Sequence, residues 1–187
     1  MAKYRYQPIF ELGTDKTPYR QLATDGVSVV TVDGREFLQV DPDVLREVSR
    51  QAFDDIAHLL RPAHLGQLRK VVDDPESSSN DKFVAMELLR NANIAAGRVL
   101  PGCQDTGTAI IIGKKGQRVW TGGDDEASIA AGVHKTFTER NLRYSNVSPL
   151  SMYEEVNTGT NLPAQVEIYA TPGDDYKFLF IAKGGGS

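Results

Sequence analysis

Cysteine is nearly absent from this sequence: Cys103 is the single one among 187 residues. One thiol excludes an intrachain disulfide and fits a reducing compartment. The closely spaced Cys and His pairs of a zinc site are missing as well. The three histidines, His58, His64 and His134, fall on separate predicted helices and in no catalytic signature, so a Cys–His hydrolase lacks its base. Long hydrophobic runs are also missing. The longest, residues 109–112 and 178–182, are far too short to span a bilayer. The first thirteen residues (MAKYRYQPIFELG) have neither the apolar stretch nor the cleavage site of a signal peptide. Charge of one sign is not in excess: 21 basic residues face 25 acidic ones, for a net charge of -4, and no run of like charge stands out. Nucleic acid and membrane surfaces are therefore not expected as partners. A cytoplasmic protein is expected, and Asn146-Val147-Ser148 reads as a chance sequon.

What is present is an ordinary globular composition, 40% hydrophobic and 25% charged. Residues 1–25, with Pro8, Gly13 and Pro18, read as an N-terminal arm, and residues 26–187 as one domain. Residues 27–32 and 36–40 are β-rich and flank Asp33-Gly34, a strong hairpin signal. Asp41 and Pro42 open a helix whose stripe is Val44, Leu45, Val48, Ala52, Ile56, Leu59 and Leu60. Arg61-Pro62 ends or kinks it, a short helix is expected over 64–72, and a polar loop over 73–80. Phe83, Met86, Leu89 and Ile94 predict a helix over 81–96, stopped by Gly97. A buried strand over 108–112, a turn over 113–116 and a strand over 117–120 follow. A helix over 126–142 carries Ile129, Val133, Phe137 and Leu142. Strands over 166–170 and 176–182 surround Pro172-Gly173-Asp174-Asp175. The expected class is α/β: a mixed sheet with hairpins, covered by helices.

The chemistry concentrates in Pro101-Gly102-Cys103-Gln104-Asp105-Thr106-Gly107-Thr108, where a thiol, an amide, a carboxylate and two hydroxyls follow a Pro-Gly turn. Cys103 is open to several readings: a buried structural thiol, a nucleophile without a base, or a metal ligand whose partners lie outside this chain. Gly107 to Lys114 only imitates a phosphate-binding loop. Five residues rather than four separate Gly107 from Gly113, residue 115 is Lys rather than Ser or Thr, and no GxGxxG occurs. Arg143, expected where a helix meets a polar loop, is either a cation complementing the helix end or a fork for a carboxylate. His64 reads as a structural or surface residue. The terminal Lys183-Gly184-Gly185-Gly186-Ser187 suits close backbone approach to a ligand, a vestige of a linker, or a cut inside a functional loop.

The 101–108 run resembles class I fumarases, the iron–sulfur fumarate hydratases, when joined by further segments. These are Gly113-Lys114-Lys115-Gly116, Val119-Trp120-Thr121-Gly122-Gly123, Asn141-Leu142-Arg143-Tyr144-Ser145, Asn157-Thr158-Gly159-Thr160-Asn161-Leu162-Pro163-Ala164 and Lys183-Gly184-Gly185-Gly186-Ser187. Arg61-Pro62-Ala63-His64 resembles the single-chain, homodimeric branch. The likeness covers nearly the whole chain but only the N-terminal third or so of such an enzyme. It implies reversible hydration of fumarate to L-malate at a [4Fe–4S] cluster held by three cysteines, with the fourth iron as Lewis acid. It implies Cys103 as the first of those ligands, and Gln104 and Asp105 as substrate-site residues beside the cluster. Asp105 would also help set the protonation of a partner histidine from the rest of the enzyme. It implies Arg143 as the partner of a substrate carboxylate and Gly186 as a glycine whose backbone approaches the substrate.

The departures are two missing cluster cysteines and a missing C-terminal domain with the catalytic groups. The expectation is thus a fragment or excised N-terminal domain with no catalytic residue of its own, which alone neither holds a stable cluster nor hydrates fumarate. Two other readings remain: a related hydro-lyase such as L-tartrate dehydratase, and a binding or regulatory module without catalysis. The Arg-Pro-Ala-His and Trp-Thr-Gly-Gly segments favour fumarase within the first pair.

Overall fold

The computed structural model describes residues 4–6, 18–22, 25–102 and 107–183. Cys103, Gln104, Asp105 and Gly186, and most of the 1–25 arm, lie outside the described residues.

Strands β1 (Val27–Val32) and β2 (Arg35–Val40) pair antiparallel, from Val27 opposite Val40 to Val32 opposite Arg35. Asp33 and Gly34 both take positive φ, 49° and 73°, the turn that a right-twisted two-residue hairpin requires. Helix α1 (Pro42–His58) starts at Asp41, whose carboxylate accepts from the Asp43 amide at 2.8 Å. The helix stops at His58, so Leu59 and Leu60, counted in the expected stripe, lie outside it and are exposed. The cause is Pro62, which holds Arg61 in extended backbone. Helix α2 (Pro62–Asp73) begins on that proline, two residues before the expected start. Helix α3 (Ser79–Ala95) begins inside the expected loop, because Ser78 and Asp81 form a reciprocal capping box.

Strand β3 (Ala109–Gly116) runs through the Gly-Lys-Lys-Gly segment that reads as a turn. Gly113 lies beneath Tyr176, Phe178 and Ile168, and a Cβ on Gly116 would stand 2.6 Å from the Gly173 carbonyl oxygen. The glycines serve close packing here, not chain reversal. The expected strand over 117–120 shrinks to β4 (Val119–Trp120), because the amides of Gln117 and Arg118 bond to Thr171 and Gly173 at 2.9 and 3.0 Å. Helix α4 (Asp125–Glu139) ends three residues before the expected limit. Asn141 adopts φ 50°, its amide bonds to the Thr138 carbonyl at 3.4 Å, and the Leu142 amide to the Phe137 carbonyl at 3.0 Å. That is a left-handed helix stop, sealed by buried Leu142 and Phe137. Two short strands, β5 (Val147–Pro149) and β6 (Glu155–Asn157), were not expected. Strands β7 (Gln165–Thr171) and β8 (Tyr176–Ala182) complete the described elements.

The class is α/β, but the single mixed sheet divides into two three-stranded sheets, β1-β2-β4 and β7-β3-β8, and a β5-β6 ribbon. β2 with β4 and β3 with β7 are parallel, while β3 with β8 is antiparallel. β7 and β8 therefore do not pair with each other across Pro172-Gly173-Asp174-Asp175; β3 inserts between them. The core gathers Leu45, Phe53 and Ala57 of α1, Ile129, Val133 and Phe137 of α4, and Ala109 and Ile111 of β3. Ser49 donates across the α1–α4 contact to the Ile129 carbonyl at 2.9 Å, and Thr136 to the Arg50 carbonyl at 2.7 Å. Among the described residues no helix is long and apolar enough to cross a membrane.

Candidate functional site

The strand pairing decides what meets at the start of β3. Ile110 stands opposite Gln165, the first residue of β7, and Ala109 opposite Ala182, the last of β8. The segments entering β3, entering β7 and leaving β8 therefore share one end of the sheet. There the Lys183 amide donates to the Thr108 carbonyl at 3.1 Å, just before the terminal glycines. On the other flank of the cysteine run, the Gly102 amide donates to the Ala57 carbonyl near the end of α1 at 2.8 Å.

Asn161 ties a third segment to this place. It is fully buried and takes φ 55°, a conformation that asparagine tolerates better than most residues. Its Oδ1 accepts from the amides of Ser145 and Asn146, at 3.0 and 3.3 Å, and its Nδ2 donates to the Gly107 carbonyl at 3.1 Å. Asn146 reciprocates: its Nδ2 donates to the carbonyls of Asn161 and Pro163, at 3.0 and 3.2 Å. Asn157 Nδ2 donates to the Tyr144 carbonyl at 2.9 Å. Arg143 stands one residue before this clasp and directly after the buried Leu142 that closes α4, with its side chain at the surface.

A second knot lies below the same end. Asp54 is 2% exposed and takes Arg98 Nη1 at 2.9 Å and Arg140 Nη2 at 2.8 Å. His58 Nδ1 lies 2.8 Å from the Asp54 carbonyl, which can only accept, so the proton is on Nδ1. Burial alone would push the Asp54 carboxyl up. The hydrogen bond from Arg140, with the charges of Arg140, Arg98 and His58, outweighs it and holds the group below the usual carboxylate range. Arg98 precedes Cys103 by a few residues and Arg140 precedes Arg143. The ion knot thus joins, upstream, the two segments that Asn161 joins downstream.

The other motifs of the sequence lie elsewhere. Lys115 Nζ donates to Thr121 Oγ1 at 2.8 Å and to Asp125 Oδ2 at 2.7 Å, and the Tyr176 hydroxyl donates to Asp125 Oδ2 at 2.9 Å. Burial and the Asp125 bond push the Tyr176 phenol far up, so it stays a donor. This cluster pins the start of α4 to the far end of β3, roughly 23 Å from residue 108 at strand rise. Lys115 of Gly-Lys-Lys-Gly and Thr121 of Trp-Thr-Gly-Gly thus serve this junction between β3 and α4. His64 and His134 are exposed, and His58 is engaged with Asp54. Among the described residues no three or more His, Cys, Asp or Glu side chains are grouped to hold a metal.

Of the site residues expected from sequence, the structure describes Arg143, on the segment whose Ser145 and Asn146 amides are tied through Asn161 to Gly107; Cys103, Gln104, Asp105 and Gly186 lie outside the described residues. Asn161, Asn146 and Asp54 were not singled out. The available signal was weak: amides in polar loops, one of them just ahead of Leu162-Pro163, and an acidic residue on the apolar side of a helix stripe.

A family model described as fumarate hydratase (Fumerase) matches residues 46–187. The chain is 59% identical over 184 residues to the aerobic class I fumarate hydratase of Escherichia coli, which covers 98% of this chain and 34% of that protein. It is 54% identical over 190 residues to the mitochondrial fumarate hydratase 1 of Leishmania major, covering 100% of this chain and 35% of that protein. Similarity to the alpha subunit of the Escherichia coli L(+)-tartrate dehydratase is lower, 29% over 121 residues. An α/β domain with loop segments gathered at one sheet end defines the class of molecule. The chain belongs to the fumarate hydratase (Fumerase) family. It spans about a third of the length of the curated fumarate hydratases it matches.

Proposed function

We propose that this chain is the N-terminal part of an iron–sulfur fumarate hydratase and forms one wall of the site where fumarate and water interconvert with L-malate. The supporting observation is the convergence, at one end of β7-β3-β8, of Gly102, Gly107 and Thr108 around the cysteine run, the Arg143 segment, and Lys183 before the terminal glycines. In this reading Cys103 is the first of three thiolate ligands of a [4Fe–4S] cluster, with Gln104 and Asp105 beside it. The planar guanidinium of Arg143 takes a substrate carboxylate in bidentate fashion, and Gly186 offers bare backbone to the substrate.

A cluster of this kind is held by several thiolates, and the sequence has one. The residues of this chain therefore do not fit the whole group, and no catalytic step is assigned to them. The remaining ligands and the catalytic groups belong, in this reading, to the C-terminal fumarase domain of the longer relatives. The complete enzyme is read as a cytoplasmic homodimer of the tricarboxylic acid cycle, with residues 26–187 as a domain behind an arm at 1–25. The lower similarity to a tartrate dehydratase subunit supports fumarate over tartrate as the substrate in this reading.

Anaerobic reconstitution with iron and sulfide tests this. The chain alone is expected to take up no stoichiometric cluster and to show no malate turnover. Joined to a C-terminal fumarase domain, it is expected to gain the cluster and convert malate to fumarate. A stoichiometric 4Fe cluster on the chain alone, or a joined polypeptide that prefers tartrate, would overturn the reading.

A further inference from the structure

We infer that Asn161 is a positioning residue that clasps the cysteine-bearing segment to the arginine-bearing segment, so that one buried amide sets the distance between the two halves of the site. The inference rests on the reading of Cys103 and Arg143 as site residues.

The geometry makes Asn161 suited to this. A carboxamide has acceptor and donor ends on one planar group. Here Oδ1 takes the two successive amides of Ser145 and Asn146, while Nδ2 reaches the Gly107 carbonyl. A carboxylate could not make both sets at neutral pH, since it only accepts, and a hydroxyl would have to place its donor and both acceptors on a single atom, where the amide spreads them over two. Asn161 is itself fully buried while Gly107, Ser145 and Asn146 are half-buried, so loss of the amide removes the direct tie and leaves their backbone groups to find other partners. The Thr108–Asn146 side-chain contact is long, at 3.5 Å, and Gly107 donates no backbone bond to the Ser145–Asn146 strip among the described residues. The loop over 157–164, one of the segments that carry the family resemblance, thus acts as the spacer of the site.

The test uses the chain's single thiol. Asn161→Gly keeps the positive φ and deletes the clasp. It is expected to speed alkylation of Cys103 and hydrogen exchange of the Ser145 and Asn146 amides, each by roughly tenfold, the scale of a lost buried hydrogen bond. Asn161→Asp keeps the acceptor for the two amides and loses only the donor to Gly107. It is expected to speed Cys103 alkylation while Ser145 and Asn146 stay protected. Ser49→Ala, which removes a buried hydrogen bond in the α1–α4 contact, is the control for general loosening and is expected to leave all three readouts unchanged. Unchanged Cys103 reactivity in both Asn161 variants, or equal acceleration in the Ser49 control, overturns the clasp. Alkylation is read without iron, so the clasp stands or falls separately from cluster assembly and malate turnover.

Discussion

Asp54 shows how much one residue decides beneath this site. It sits on the buried side of α1, yet it carries charge and two arginines converge on it. Removing one partner of a buried ion pair leaves the others uncompensated, so Asp54→Ala is expected to destabilise the chain by about 3 kcal/mol, the low end for such losses because Arg98 and Arg140 keep some solvent. The pH dependence has a definite sign. The folded carboxyl is held below its ordinary value, so its stabilising contribution is complete above the unfolded value and is lost as pH falls through the folded one. Urea unfolding should show the full gap between wild type and Asp54→Asn at neutral pH, narrowing below about pH 4. A gap that widened on acidification would contradict the assignment. The sequence reads Arg143 as a cation at a helix end or a fork for a carboxylate, and the structure places it four residues past the last residue of α4. The sequence leaves Asp54 and Asn161 unread, since their meaning lies in partners far along the chain: Asp54 meets Arg140, and Asn161 meets Gly107.

Among the elements, α1 and α4 are legible because their apolar residues recur at helical spacing, and α1 also opens on the Asp41 cap. Their mutual approach is not. Gly132 lies in the middle of α4, where a helix would otherwise prefer alanine by about 1 kcal/mol. A Cβ there would stand 2.3 Å from the Arg46 carbonyl oxygen and 2.7 Å from Ser49 Cβ. The obstacle includes the backbone of α1, so the helices must part rather than a side chain turn aside. Gly132→Ala is therefore expected to lower stability by at least about 2 kcal/mol, strain exceeding the gain in propensity. A thermal melt at or above the wild-type temperature would show that the two helices are not locked at this point. The strands divide in the same way. The β1–β2 hairpin is written in Asp33-Gly34, whereas Gly-Lys-Lys-Gly has the composition of a turn and hides the second half of β3. Only the aromatic rings of β8 above Gly113 and the Gly173 backbone against Gly116 reveal a continuing strand. β5 and β6 are three residues each and largely exposed, too short for any period to register.

Across the whole molecule, burial is uneven, and that predicts how it opens. α1, α4 and β3 hold most of the fully buried apolar side chains. α2 has no buried residue, and α3 buries only Ala85 and Ala95, while Phe83, Val84, Leu88 and Ile94 face outward. The α2–α3 hairpin is therefore secured mainly by its own contacts, the capping box of α3 and the Gly102–Ala57 bond that follows it. Local stability follows buried contact, so such a unit opens below the global free energy. Native-state hydrogen exchange in low denaturant is expected to find the interior amides of α2 and α3 opening together, well before those of β3, α1 and α4. The opening should stop short of Arg98, whose guanidinium is tied to Asp54 and to Asp55. Asp54→Asn weakens that stop, and it is expected to extend the early-opening unit into residues 98–102 while the β3 amides keep their protection. Equal opening energies for α2, α3 and β3 would mean that the molecule unfolds as one unit, and that the Asp54 knot marks no boundary between the hairpin and the site.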